Sequence, residues 1–120
     1  MIETAKTSCL PKPNLADRPL LTGEQAIELA GLFKILANDT RLRLIHALVR
    51  AGEMRMTELA RDLDMKPQAV SNQLQKFLDL GFLASRRQGT SIYYRIMDPC
   101  VISLLDHVLC LLEDAKARSR

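Results

Sequence analysis

Residues Thr57–Phe82 read TELARDLDMKPQAVSNQLQKFLDLGF. Leu59, Ala60 and Leu63 mark the buried side of a short helix that Thr57 can cap. The pattern breaks at Asp64-Met65-Lys66 and restarts at Pro67, whose missing amide costs nothing in the first turn of a helix. Val70, Leu74, Phe77 and Leu78 then recur at helical spacing until Gly81 ends the run. Gln68, Ser71, Asn72, Gln73, Gln75 and Lys76 fall elsewhere on this second helix. A surface of amides and hydroxyls with few carboxylates suits base edges and phosphates. Two such segments around a tight break predict a helix-turn-helix whose second helix enters the DNA major groove.

Downstream, Phe82-Leu83-Ala84-Ser85-Arg86 and Ser91–Ile96 predict two strands around Arg87-Gln88-Gly89-Thr90, a β-hairpin with a glycine turn. Arg86, Arg87 and Arg95 put positive charge on this wing, as a grip on the phosphate backbone requires. Asp98-Pro99 opens the last helix with an N-cap carboxylate and a first-turn proline. From Cys100 to about Ala115 that helix carries Val101, Ile102, Leu104, Leu105, Val108, Leu109, Leu111 and Leu112, apolar nearly all round. Such a helix must be covered on more than one side, most simply by its own domain and by a second subunit.

Upstream, Thr22-Gly23-Glu24-Gln25 fits a capping box for a helix reaching about Ala37. Asn38-Asp39 can cap the next helix, from Thr40 to about Ala51, with Gly52 after its end and a connector from Gly52 to Met56. Pro11, Pro13 and Pro19 in the first twenty residues predict an extended, partly mobile arm carrying Cys9. The expected organisation is therefore an arm over 1–20, a winged helix-turn-helix over 21–116 and a frayed tail over 117–120. The fold class is mainly α with a small β-hairpin (α+β).

A chain of 120 residues fits one domain, and its net charge of +3 permits an acidic partner without demanding one. No apolar run approaches the roughly 20 residues that span a bilayer. The N-terminus lacks a secretory pattern, so a cytoplasmic protein is expected. Three cysteines, an odd number, argue for reduced thiols rather than a disulfide framework.

The element order, the wing and the stretch Leu32-Phe33-Lys34-Ile35-Leu36-Ala37-Asn38-Asp39-Thr40-Arg41-Leu42-Arg43-Leu44-Ile45 resemble the ArsR/SmtB family of metal-sensing repressors. The likeness covers about residues 24–115 and includes the Gln68–Leu74 segment and the Gly89 wing with its Tyr-Tyr-Arg ending. It implies a winged-helix homodimer, paired through its first and last helices, that binds an inverted-repeat operator and releases it to an inducer. On that reading the DNA contacts come from Lys66, Gln68, Ser71, Asn72, Gln73, Lys76, Arg86, Arg87, Thr90 and Arg95. Many members carry Cys-x-Cys before the recognition helix, but Glu58–Asp62 holds no cysteine. Others open the last helix with Asp-x-His, where this chain has Asp98-Pro99-Cys100, a softer ligand at the same place.

Cys100 and Cys110 lie about 15 Å apart along one helix and cannot share an ion within one chain. If two last helices cross antiparallel near Leu105, Cys100 of one protomer meets Cys110 of the other, with Cys9 as a third candidate ligand. Thiolates favour soft ions, and with the resemblance this puts trivalent arsenic or antimony first, with Cd(II), Pb(II), Hg(II) or Zn(II) as alternatives. Asp106 and His107 would shift the choice towards zinc or cadmium. A free cysteine in an apolar helix is also common core filler, and His46 and His107 are also ordinary surface or packed side chains. Two rival functions keep the same fold: a redox or persulfide switch linking the cysteines, and a constitutive architectural DNA-binding protein. An enzyme is not expected, because nothing like an oxyanion hole or substrate loop accompanies Cys110 and His107.

Overall fold

The computed structural model of the protein describes residues 12–119, so Cys9 lies outside the described residues. Leu15–Asp17 form a short 3-10 turn in the arm. Thr22 then caps helix α1 (Gly23–Leu36) through the reciprocal box: the Gln25 amide donates to Thr22 Oγ1 at 3.1 Å and the Thr22 amide donates to Gln25 Oε1 at 2.9 Å. Helix α2 (Asp39–Ala51) follows almost at once because the Asn38 Oδ1 accepts the Arg41 amide at 3.0 Å. Gly52, at φ 85, ends α2 in a conformation that disfavours a side chain.

The connector expected over Gly52–Met56 contains a strand, β1 (Met54–Arg55). It pairs with β3 (Ser91–Ile96) through Met54↔Tyr94 and Arg55↔Tyr93, so the predicted hairpin is a three-stranded antiparallel sheet in the order β1-β3-β2. Holding the chain extended through Arg55 also moves the start of α3 (Met56–Asp62). Thr57 lies inside its first turn, and Glu58 supplies the cap by accepting the Arg55 amide at 2.8 Å.

Asp64, at φ 54, makes the tight break before α4 (Pro67–Asp79). The end of α4 is locked by two reversed hydrogen bonds, Gly81 N–H to the Leu78 carbonyl at 3.0 Å and Phe82 N–H to the Phe77 carbonyl at 3.0 Å. The Phe77 and Phe82 rings, 6.1 Å apart, supply the apolar contact that accompanies this motif. Strand β2 (Leu83–Gln88) starts one residue later and runs two residues further than expected, because the turn closes on Gly89-Thr90 alone, with Gly89 at φ 65.

Leu44, Ile45 and Leu48 of α2, Leu59 and Ala60 of α3, and Val70, Leu74 and Phe77 of α4 form the buried centre, closed by Met54, Leu83 and Val101. Helix α5 (Pro99–Arg118) buries Val101 and partly covers Ile102, Leu104 and Leu105. Its second half then leaves this core, with Val108, Leu109, Leu111 and Leu112 exposed. It continues past Ala115 to Arg118, where Lys116 and Arg118 suit the negative end of the helix dipole. Along α1, Ile27 and Phe33 are likewise exposed. The radius of gyration, 16.5 Å, exceeds the roughly 13–14 Å of a compact domain of this length because these helices project. Among the described residues no helix is long and apolar enough to cross a membrane.

Candidate nucleic-acid interface and thiol site

Helix α4 turns Val70, Leu74 and Phe77 into the core, which leaves Gln68, Ser71, Asn72, Gln75 and Lys76 exposed. Two amide bridges run along the exposed side: Gln68 Nε2 donates to Asn72 Oδ1 at 3.0 Å, and Gln75 Nε2 donates to Asp79 Oδ1 at 2.9 Å. The first bridge still leaves the Asn72 amide and the Gln68 oxygen for base edges. Lys66 occupies the N-cap position, next to the positive end of the helix dipole. Gln73 differs from its neighbours. It is half-buried, and its Oε1 accepts from Arg41 Nε at 2.8 Å.

The wing sorts its arginines by register. Arg86 is paired with Tyr93 and Ala84 with Arg95, so Arg86, Tyr93 and Arg95 share one face; Arg87, opposite Ile92, shares the other with Leu83 and Tyr94 near the tip. Arg86 is committed within the chain. Its Nε and Nη2 reach the two oxygens of Glu53 at 2.7 Å each, its Nη1 donates to Gln88 Oε1 at 2.7 Å, and its guanidinium lies 4.6 Å from the centre of the Tyr93 ring. That pairing holds the Glu53 carboxyl below the usual carboxylate range, first through the Arg86 hydrogen bond and further through the charges of Arg86 and Arg95. Arg87, Thr90 and Arg95 are exposed. Neither arginine forms an ion pair among the described residues.

Both cysteines of the described chain lie on α5. The Cys100 amide donates to Asp98 Oδ1 at 2.9 Å, so one oxygen of Asp98 is occupied as the helix cap. Cys100 is half-buried in the first turn and is engaged rather than free. Cys110 is a free, exposed thiol on the projecting half, with Sγ 3.8 Å from Asp114 Oδ2. Within one protomer no three His, Cys, Asp or Glu side chains among the described residues converge on a possible metal position. His107 and Asp106 are exposed, and His46 lies across the domain beside Arg43 and Arg50.

A helix-turn-helix domain model matches residues 36–86. The transcriptional repressor SmtB homolog of Synechocystis sp. is 34% identical over 92 residues, 77% of this chain and 69% of that one. The arsenic resistance transcriptional regulator ArsR1 of Pseudomonas putida is 36% identical over 84 residues, 70% of this chain and 65% of that one. Among solved structures, the AntR antimony-specific transcriptional repressor is 54% identical and superposes with a TM-score of 0.74, over 92% of this chain and 99% of that chain. The chain belongs to the ArsR/SmtB family. Its winged helix-turn-helix is that of DNA-binding transcriptional regulators, and the family relatives are repressors rather than enzymes. The chain spans 65%, just under two thirds, of the Listeria innocua cadmium resistance regulator CadC and of ArsR1.

Two residues of this ArsR/SmtB chain were not singled out by its sequence pattern. Arg41, on the flank of α2, reaches both Gln73 and the Ile35 carbonyl. Glu53, in what reads as a connector, anchors Arg86. Arg41 was visible only as a member of the Leu32–Ile45 stretch, which does not name a partner.

Proposed function

We propose that the protein is a homodimeric transcriptional repressor that releases an inverted-repeat operator when a thiophilic metal or metalloid, trivalent arsenic or antimony first, binds cysteines on α5. The observation that carries this is the placement of Cys100 and Cys110 at the two ends of the stretch where α5 leaves its own core. An antiparallel partner helix crossing near Leu105 brings Cys100 of one protomer beside Cys110 of the other, and a contiguous apolar surface there requires a cover. The donor chemistry fits. Cys100 and Cys110 carry soft sulfur donors, while one oxygen of Asp98 is already used by the Cys100 amide. Cys9 is the third proposed ligand, with Cd(II), Pb(II), Hg(II) and Zn(II) as the alternative inducers. A relative that is antimony-specific by name and another named for arsenic resistance support the order of ions.

The DNA contacts assigned to this function are Gln68, Ser71 and Asn72 on bases, with Lys66, Lys76, Arg87, Thr90 and Arg95 on phosphates. Arg86 is assigned to holding the wing on the body through Glu53. The test is a titration of the protein–DNA complex with As(III), Sb(III), Cd(II), Hg(II) and Zn(II) under reducing conditions, repeated on Cys9→Ser, Cys100→Ser and Cys110→Ser. The expected result is that Cys100→Ser and Cys110→Ser bind DNA as tightly as the wild type and no longer release it to Sb(III). Loss of DNA affinity in the metal-free variants contradicts the proposal, as does release that survives both substitutions. A covalent dimer formed without metal assigns the cysteines to a redox switch instead.

A further inference from the structure

Arg41 joins two elements with one guanidinium. Its Nε donates to Gln73 Oε1 at 2.8 Å and its Nη1 donates to the Ile35 carbonyl at 3.0 Å, both in partly buried surroundings. Ile35 lies in the last turn of α1, where helix carbonyls lack intrahelical partners, so Arg41 caps the end of α1 from the neighbouring helix. Gln73 lies beside the buried stripe of Val70, Leu74 and Phe77, whereas Gln68, Asn72 and Gln75 occupy the exposed face of α4. An arginine can only donate, which fixes the Gln73 carboxamide with its oxygen towards Arg41. The half-buried Gln73 carboxamide is thereby turned towards α2 and away from the exposed face that Gln68, Ser71 and Asn72 offer to base edges. A cleft of 470 Å³ opens between Ile35 on one side and Asn72, Lys76 and Leu80 on the other. Leu36 is buried in the core and Ile35 packs against it, so apolar contact seats the end of α1, and the arginine bridge adds a directional polar link from there to α4 beside this cleft.

We propose that Arg41 is a positioning residue for DNA recognition: it sets the pose of α4 on α1 through Gln73, and Gln73 serves as its acceptor rather than as a reader of bases. This inference rests on the reading of the protein as a DNA-binding dimer paired partly through α1. Because α1 belongs to the dimer contact, the bridge links each recognition helix to the two-fold axis, and thereby to the spacing of two half-sites.

The test uses the full chain and a duplex selected by the wild type from a randomised pool, with a scrambled duplex as control. Arg41→Ala, Arg41→Lys, Gln73→Ala and the Arg41→Ala/Gln73→Ala pair are compared by affinity, salt dependence and thermal melting. Each alanine variant is expected to lose about tenfold in affinity for the selected duplex, the worth of one charge-assisted hydrogen bond. The double variant should be no worse than the poorer single one, because both substitutions remove the same bridge. Arg41→Lys, a point donor that cannot span both acceptors, should fall between wild type and alanine. Binding to the scrambled duplex should stay within about twofold throughout, since phosphate contacts are untouched. Additive losses overturn the proposal. So does an equal loss on scrambled DNA with a shallower salt dependence, which would place Arg41 on a phosphate. A new base preference for Gln73→Ala, obtained by repeating the selection, would make Gln73 a reader. If Arg41→Ala melts early through loss of the Ile35 cap, Gln73→Ala decides alone. A wild type that selects no duplex refutes the DNA-binding reading itself, a result distinct from all of these.

Discussion

At the scale of the residue, one side-chain chemistry serves different ends according to where the fold directs it. Asn72 and Gln73 are adjacent carboxamides on α4, yet Asn72 is exposed while Gln73 is half-buried against Arg41. Truncating Asn72 to alanine is expected to weaken binding to the preferred duplex by about 1–3 kcal/mol and to relax the choice of base at one position of each half-site. Competition between duplexes that differ at single positions measures this. Arg87→Ala, at the wing tip, should instead weaken binding to all sequences alike and reduce the slope of log K against log salt by about 0.9. If Arg87→Ala changes the base preference, the division between reader and grip is wrong. Phe77 belongs to neither group. It is fully buried and stacked near Phe82 at the locked end of α4, so Phe77→Ala should cost about 3–5 kcal/mol of stability in denaturant unfolding.

At the scale of the element, the wing depends on a contact from outside its hairpin. Glu53, just before β1, pairs with Arg86 on β2, and the carboxyl is held below the usual carboxylate range chiefly by that hydrogen bond. A depressed carboxylate pKa contributes stability above its unfolded value and loses it as pH falls through the folded one, so the contribution is complete at neutral pH and is lost in acid as the pH falls through the lowered value. Glu53→Gln is therefore expected to melt slightly earlier than the wild type at pH 7 and to converge with it in acid; a difference that persists in acid would sink this assignment. The same variant frees Arg86 and removes a carboxylate, so its affinity for random DNA should rise. What the sequence made legible divides along the same line. Thr22, Asn38, Gly52, Pro67 and Gly81 act on neighbours a few residues away, and these caps and stops were readable. Strand β1 was not, because two residues carry no alternation and its partners Tyr93 and Tyr94 lie far along the chain. Nor were the roles of Gln73 and Arg86, whose partners Arg41 and Glu53 lie 32 and 33 residues upstream. The proposed thiol site was half legible: spacing places Cys100 and Cys110 on one helix and excludes a shared ion within it, whereas its completion by a second molecule is a proposal that no pattern along one chain displays.

At the scale of the whole molecule, one protomer is unfinished. Its core is closed by the front of α5, but Leu109 and Leu111 beyond it are 54% and 63% exposed, and Ile27 of α1 is 74% exposed. Side chains of this size scattered singly on a surface need no explanation, but here they lie along two helices that project from the same body. A second copy that covers them also fixes the distance between two α4 helices, so subunit pairing and operator binding should fail together. Leu109→Glu places a charge on the α5 face of Leu105, Val108 and Leu112 without touching the buried centre around Leu44 and Phe77. Sedimentation is expected to show this variant as a monomer with wild-type helix content. Its half-site affinity should be retained, while its affinity for the full inverted repeat should fall to near that of one half-site, because the second contact is no longer effectively intramolecular. The wild-type melting temperature should rise with protein concentration and that of Leu109→Glu should not. A variant that remains dimeric, or a monomer that binds the full repeat as tightly as the wild type, would show that the exposed faces of α1 and α5 serve another partner.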